Sequence, residues 1–292
     1  MIRYRVTVLE LMKRIESQAP GWLEKARNWT DKARKVKKFV EGGPPWRDVK
    51  SVFTELQSSK CLYCERCLPR APISDVERDV EHYRPKKAVH SWPPAASKRD
   101  LGLISGFPLG SASAEGYYLL AHNVLNYGAS CKTCNSSLKG DRFPIAGPRR
   151  TQEDDVRKLR AEKPYLLFPI GDYADTDDPE DLIGFLGTTP IVKVANGHAH
   201  RRALVTIGFF QLDRDDLQRE RAHVLTTLWE AYEDLQRHRS KKRRMVAKLK
   251  IDHLLSGKWH HTSCARAYYA LLQTDRAQAE QYYDLSVRMA FR

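Results

Sequence analysis

Six cysteines occur in the 292-residue chain, and four of them fall into two CxxC turns, Cys61-Leu62-Tyr63-Cys64 and Cys131-Lys132-Thr133-Cys134, with 66 residues between. Two intervening residues let both sulfurs of a turn face one ion while the turn amides point at the thiolates. Two such turns complete a tetrahedral four-thiolate zinc site. Four thiolates leave no open coordination position, so the expected role is to staple chain segments rather than to perform chemistry. A redox CxxC is expected in a strand-then-helix unit of the thioredoxin kind, and the sequence shows no such unit at either pair. Cys67 and Cys264 are read as buried thiols, although Cys67 follows Cys64 closely enough to substitute as a ligand.

Between the turns lies Asp79-Val80-Glu81-His82-Tyr83-Arg84-Pro85-Lys86. Asn126 precedes Asn135 by nine residues, Asn135 directly follows the second turn, and Lys139 comes four residues later. This set resembles the HNH endonuclease superfamily, a ββα-metal fold in which a strand ends in Asp/Glu-His, a loop supplies Asn, and a helix supplies the last His or Asn. The resemblance implies His82, Asn126 and Asn135 as the three members, with Asn123 competing for the middle place. It departs from the commonest pattern in having Glu81 where Asp is usual and Asn135 where many members have His. The second departure moves the expected ion towards Mg2+ or Mn2+, which prefer oxygen donors. Glu81 and Asn135 are the expected ligands, and His82 is the expected base for the attacking water. Neighbouring side chains on a strand point to opposite faces, so a turn or bulge is expected to bring His82 to the phosphate. Asn126 is expected to orient His82 through hydrogen bonds to backbone. Lys139, Arg142, Arg84 and Lys86 are expected to contact nucleic-acid phosphates.

The phrases CLYCER, DVEHYRPK and CKTCNSSLKGDRFP look like one subgroup, the HNH subunits of Septu-type (PtuB) and retron-associated anti-phage defence systems. Tyr165–Asp172 and Thr206–Arg221 look like that subgroup's later region, so the likeness covers about residues 60–225. It implies a defence nuclease working with an ATPase subunit and, for retrons, a reverse transcriptase with its RNA–DNA product. The chain has no GxxxxGK[ST] loop of its own.

The elements that must hold these residues are mostly helical. Val8, Leu9, Met12 and Ile15 suggest one stripe, and Trp22, Ala26 and Trp29 a second after Pro20-Gly21. Gly42-Gly43-Pro44-Pro45 precedes another helix at about Trp46–Ser58. Ser91–Gly116 reads as an exposed insertion, Asp172–Asp181 as an acidic boundary loop and Ile191–Val194 as a short strand. From Arg202 the pattern is helical, with breaks near Arg239, Gly257 and Gln273-Thr274. The expected class is α+β, predominantly α-helical, divided into a helical arm (1–59), a zinc-stapled ββα-metal core (60–150) and a helical C-terminal region (151–292).

Composition bounds the function. Hydrophobic residues make up 41% of the chain and the formal net charge is +14, which points to a polyanionic partner, most simply nucleic acid, with DNA expected over RNA. The basic run Lys241–Arg244 is read as a phosphate contact or a solvated helix face. No stretch approaches the ~20 apolar residues of a spanning helix, and no signal peptide is read, so a cytoplasmic location is expected. The alternatives to a nuclease are a zinc-stapled nucleic-acid-binding module that cuts nothing and a partner-binding subunit with a vestigial core.

Overall fold

The computed structural model describes residues 1–69, 78–94, 102–104 and 106–290. Of Ser91–Gly116, residues 95–101 and 105 lie outside that set. The described remainder is largely exposed and pinned by buried Trp92 and Ile104.

Two helices open the chain. At the start of α1 (Val8–Gln18) the Thr7 hydroxyl accepts from the Glu10 amide at 3.2 Å, satisfying one of the unpaired donors of a first turn. The helix buries Leu11 and Ile15, while Leu9 and Met12 are 65% and 37% exposed. Its core face is therefore rotated from the expected stripe and shares only Ile15 and the margin at Val8. α2 (Trp22–Val36) buries Trp22, Ala26 and Ala33. A 3-10 turn at Trp46–Val49 then continues into α3 (Lys50–Leu56).

The centre is a two-stranded antiparallel ribbon of β1 (Arg78–His82) and β2 (Tyr127–Cys131), with unbroken register from Arg78↔Cys131 to His82↔Tyr127. No bulge or turn interrupts β1 beside Glu81 and His82, so the two side chains take opposite faces. All of β2 is buried, and it runs directly into a π-helical segment, Thr133–Lys139. Further on, a hairpin pairs β3 (Ile183–Leu186) with β4 (Thr189–Val192). Five helices follow: α4 (Gly197–Phe209), α5 (Asp215–Arg237), α6 (Lys241–Leu255), α7 (Thr262–Thr274) and α8 (Arg276–Ala290). Three of their four junctions fall at the breaks legible in the sequence, and the fourth, at residues 210–214 between α4 and α5, is not among them.

The class is thus a predominantly helical α+β fold with few strands. The expected three-part division is not a division of the packing. One buried apolar cluster runs from Met1 to Leu217, and a second spans Val224 to Ala279, so the cores part within α5. A two-stranded ribbon cannot bury a core alone, and this one borrows from both sides. Phe53 of α3 meets Tyr127 of β2 at 5.9 Å, and Tyr83 meets Phe168 at 4.7 Å. The acidic loop is likewise an internal joint. Asp175 accepts from both terminal nitrogens of the Arg202 guanidinium at 2.5 and 2.9 Å and Asp177 from one at 2.5 Å, with Asp175 and Arg202 both buried.

Candidate active site and metal centre

The two CxxC turns meet. The sulfurs of Cys61, Cys64, Cys131 and Cys134 all lie within 4.8 Å of one another, and all four residues are buried. Cys64 Sγ and Cys131 Sγ are 3.8 Å apart. With zinc–sulfur bonds of about 2.3 Å, the edge of a regular tetrahedron is also about 3.8 Å. The Cys131 amide donates to Cys61 Sγ at 3.4 Å, as expected of a turn that solvates thiolates. The donor set fits a metal such as zinc. Burial opposes the charge on the Arg214 guanidinium, but the sulfurs of Cys64 and Cys134 and the Asp216 carboxylate outweigh it and raise the group above its ordinary value. Arg66, two residues after Cys64, reaches Asp216 and Glu220 of α5 at 2.5 Å each and ties the first turn to the C-terminal helices. Cys67 differs from the expectation: it is exposed and outside the cluster. Cys264 is buried against the Gly187 carbonyl at 3.4 Å, and burial pushes its thiol up to about 12.

His82 ends β1 and is 8% exposed. Its Nε2 lies 3.0 Å from the Ala121 carbonyl oxygen. A carbonyl can only accept, so Nε2 carries the proton and Nδ1 is the ring's acceptor. Trp46 and Tyr127 stand edge-on to the imidazole, each with centroids 4.9 Å away. The same Ala121 carbonyl accepts from Trp46 Nε1 at 3.0 Å and from the Tyr127 hydroxyl, so one oxygen holds three side chains. Burial, followed by the nearby Lys86 ammonium, pushes His82 well below its ordinary 6.5 and keeps it neutral.

Asn126 grips the chain just beyond His82. Its Oδ1 accepts from the Arg84 amide at 2.8 Å, its Nδ2 donates to the Arg84 carbonyl at 3.0 Å, and its own carbonyl accepts from the Tyr83 amide at 2.8 Å. Gly116 closes the loop from the other side, donating to the Lys87 carbonyl at 2.8 Å. A Cβ there would lie 2.5 Å from backbone atoms of Lys86 and Lys87, so only glycine fits. Asn123 serves instead as a local cap, accepting from the Leu125 amide at 3.0 Å.

The remaining expected site residues sit differently from their sequence reading. Glu81 and Lys139 are each 1% exposed and pair at 2.7 Å on the face opposite His82. Tyr63 also donates to the same carboxylate oxygen at 3.3 Å. A divalent cation at Glu81 would sit beside the Lys139 ammonium on a carboxylate that is 1% exposed, so the expected Glu81–Asn135 ligand pair does not fit this arrangement. Asn135 is half-buried on the π-helical segment. Arg84 is fully buried, donates to Glu162 at 3.1 Å and to the Leu159 carbonyl at 3.0 Å, and cannot reach a phosphate. Lys139 is excluded from that role by the same burial. Arg142 caps the π-helical segment through the Leu138 and Lys139 carbonyls at 3.1 and 3.5 Å. Lys86 is half-buried with its ammonium 4.6 Å from the Trp46 ring, and of the four expected cations it weighs most on His82.

No family model matches the chain, and no solved structure matches it. It is similar to the Septu protein PtuB of Bacillus mycoides (strain KBAB4), at 29% identity over 182 residues, 60% of this chain and 50% of that protein. The relative is a Septu protein. The chain spans about half the length of the curated relative it matches.

Three contributors to the His82 surroundings escape the sequence reading. Trp46 lies in the helical arm, Ala121 contributes only a carbonyl that any residue type carries, and His122 stacks on Trp46 at 5.6 Å with both ring nitrogens without a hydrogen-bond partner. Burial pushes His122 down to about 4. Only an aromatic in the arm facing the EH strand could have signalled this, and the spacing of 36 residues carries no periodicity.

Proposed function

We propose that the chain is an HNH endonuclease that hydrolyses phosphodiester bonds in nucleic acid, DNA before RNA, as the effector of an anti-phage defence complex. The observation that carries this reading is the state of His82. It is neutral, its proton is parked on Nε2 by the Ala121 carbonyl, and Nδ1 is left as a base. The ring stands at the end of β1, whose partner strand β2 runs through the second CxxC turn into the π-helical segment. Similarity to a Septu protein supports the defence setting.

In this mechanism water attacks phosphorus as His82 Nδ1 removes its proton. The P–O bond to the leaving sugar oxygen breaks, and that oxygen takes a proton from solvent. The base contributes about 10²–10⁴ in rate. Asn126 holds the backbone that carries the ring, and Lys86 supplies positive charge on the phosphate side. The four cysteines hold a structural zinc that staples β2 and the π-helical segment to the first turn. The requirement for Mg2+ or Mn2+ rests on the resemblance and not on Glu81, whose carboxylate is taken by Lys139. An ATPase subunit is the proposed partner, joined in a retron-type assembly by a reverse transcriptase and its RNA–DNA product.

One observation favours the alternative of a non-catalytic binding subunit: His82 is 8% exposed and caged by aromatic rings, as a structural histidine would be. Incubating the purified protein with plasmid DNA and with total RNA, with and without Mg2+, separates the two. The nuclease reading expects cutting by the wild type and none by a folded, metal-loaded His82→Ala variant. Equal cutting by both proteins, or by neither, rejects it.

A further inference from the structure

Lys139 has three ammonium protons and three acceptors around it. These are Glu81 Oε1 at 2.7 Å, the His82 carbonyl oxygen at 2.8 Å and the Gly140 carbonyl oxygen at 3.4 Å. At 1% exposure the group has no proton to offer a ligand, and every one it has is spent on the protein. The acceptors belong to two elements. Glu81 and His82 are the last residues of β1, whereas Lys139 and Gly140 close the π-helical segment that starts at the second CxxC turn. The first turn reaches the same carboxylate, because the Tyr63 hydroxyl donates to Glu81 Oε1 at 3.3 Å while its ring stacks on Phe210 at 3.8 Å.

We infer that the buried Glu81–Lys139 pair is a positioning device that fixes the backbone of His82 relative to both CxxC turns. His82 is thereby held at two points: its side chain by the Ala121 carbonyl and its own carbonyl by the Lys139 ammonium. Without the ammonium, the end of β1 loses its tie to the π-helical segment and keeps the Tyr63 hydroxyl, the Ala121 carbonyl, the Asn126 grip and the ladder. The base then loses its registration with the attacked phosphorus. The catalytic consequence rests on the nuclease reading above, whereas the structural one does not.

A lysine that grips one carboxylate and two carbonyls in different directions is not replaced by arginine, whose donors lie in a flat fork. This separates positioning from phosphate binding, in which arginine would serve equally well. The experiment compares wild type, Lys139→Met, Lys139→Arg and the double variant Glu81→Gln/Lys139→Met. The double variant keeps the volume and strands no charge, so it remains informative if the single variants fail to fold. Three quantities are read: single-turnover cleavage of plasmid DNA, duplex affinity with its salt slope, and the 15N-resolved Nε2–H resonance of His82. Positioning predicts that the variants lose about 10²-fold in cleavage rate, the scale of an ångström's misplacement. It also predicts unchanged affinity and salt slope, and a shifted or exchange-broadened His82 signal. Affinity that falls in Lys139→Met and returns in Lys139→Arg would overturn it in favour of a phosphate contact. An unmoved His82 resonance in the double variant would overturn it outright. A wild type that cuts nothing would sink the nuclease reading alone, since the resonance still decides whether the pair holds His82.

Discussion

Neutrality of His82 has consequences in two directions. A base held well below 6.5 stays unprotonated in mild acid, so the rate of cleavage is expected to stay level from pH 8 down to about pH 6. A pH–rate profile that halves near 6.5 would show a solvent-exposed, ordinary histidine instead. Stability runs the opposite way. Below pH 6.5 the unfolded chain binds protons at His82 and His122 that the folded chain refuses. Stability is therefore complete above that pH and is lost as pH falls below it, towards about 4 for His122. Melting temperatures measured from pH 7 to 5 should fall in wild type and fall less in His122→Phe. Replacing His82 itself by alanine also empties an aromatic cage, and a cost of about 1–3 kcal/mol is expected beside the lost activity.

The two CxxC turns, the ribbon and the Asn126 grip work as one local unit. Cys131 joins β2 to the π-helical segment, and its sulfur is 3.8 Å from Cys64. Cys131→Ser should leave a three-sulfur site, lower the zinc content well below one per chain and reduce the melting temperature, since ligand binding is folding free energy. Full metal retention in that variant, measured by atomic emission, would remove the staple. Asn126→Ala leaves the amide and carbonyl of Arg84 buried without partners, and urea unfolding should register a loss of about 1–3 kcal/mol or more. The π-helical segment Thr133–Lys139 ends with Lys139 against the last two residues of β1.

Across the whole molecule the site is held by residues far apart in the chain. Arg84 pairs with Glu162 inside the protein, both 0% exposed, and Arg202 pairs with Asp175 in the same layer. Removing one partner strands a buried charge, so Arg84→Met should cost about 3–5 kcal/mol in denaturant unfolding while the folded variant keeps its nucleic-acid affinity. Loss of affinity without loss of stability would place Arg84 at the phosphate after all. Arg66 does the same for the C-terminal helices, linking the first CxxC turn to α5. No described helix is long and apolar enough to cross a membrane.

Local spacing was enough for whatever depends on neighbours in the chain. Two residues between cysteines and two turns of that kind specify a four-sulfur cluster wherever the chain goes. Gly257, Arg239 and Gln273-Thr274 mark where helices stop, because helix termination is a local matter. The side-by-side order of Glu81 and His82 already required opposite faces once the segment was a strand. What the tertiary structure decided is the partner of each charge. Lys139 and Arg84 carry the same signal in sequence as surface cations, and only the carboxylates of Glu81 and Glu162, brought in from 58 and 78 residues away, turn them inward. Trp46, the Ala121 carbonyl and His122 reach His82 in the same way. Burial sets the charge state of His82, and burial is a property of the packed core that joins the arm, the ribbon and residues up to Leu217.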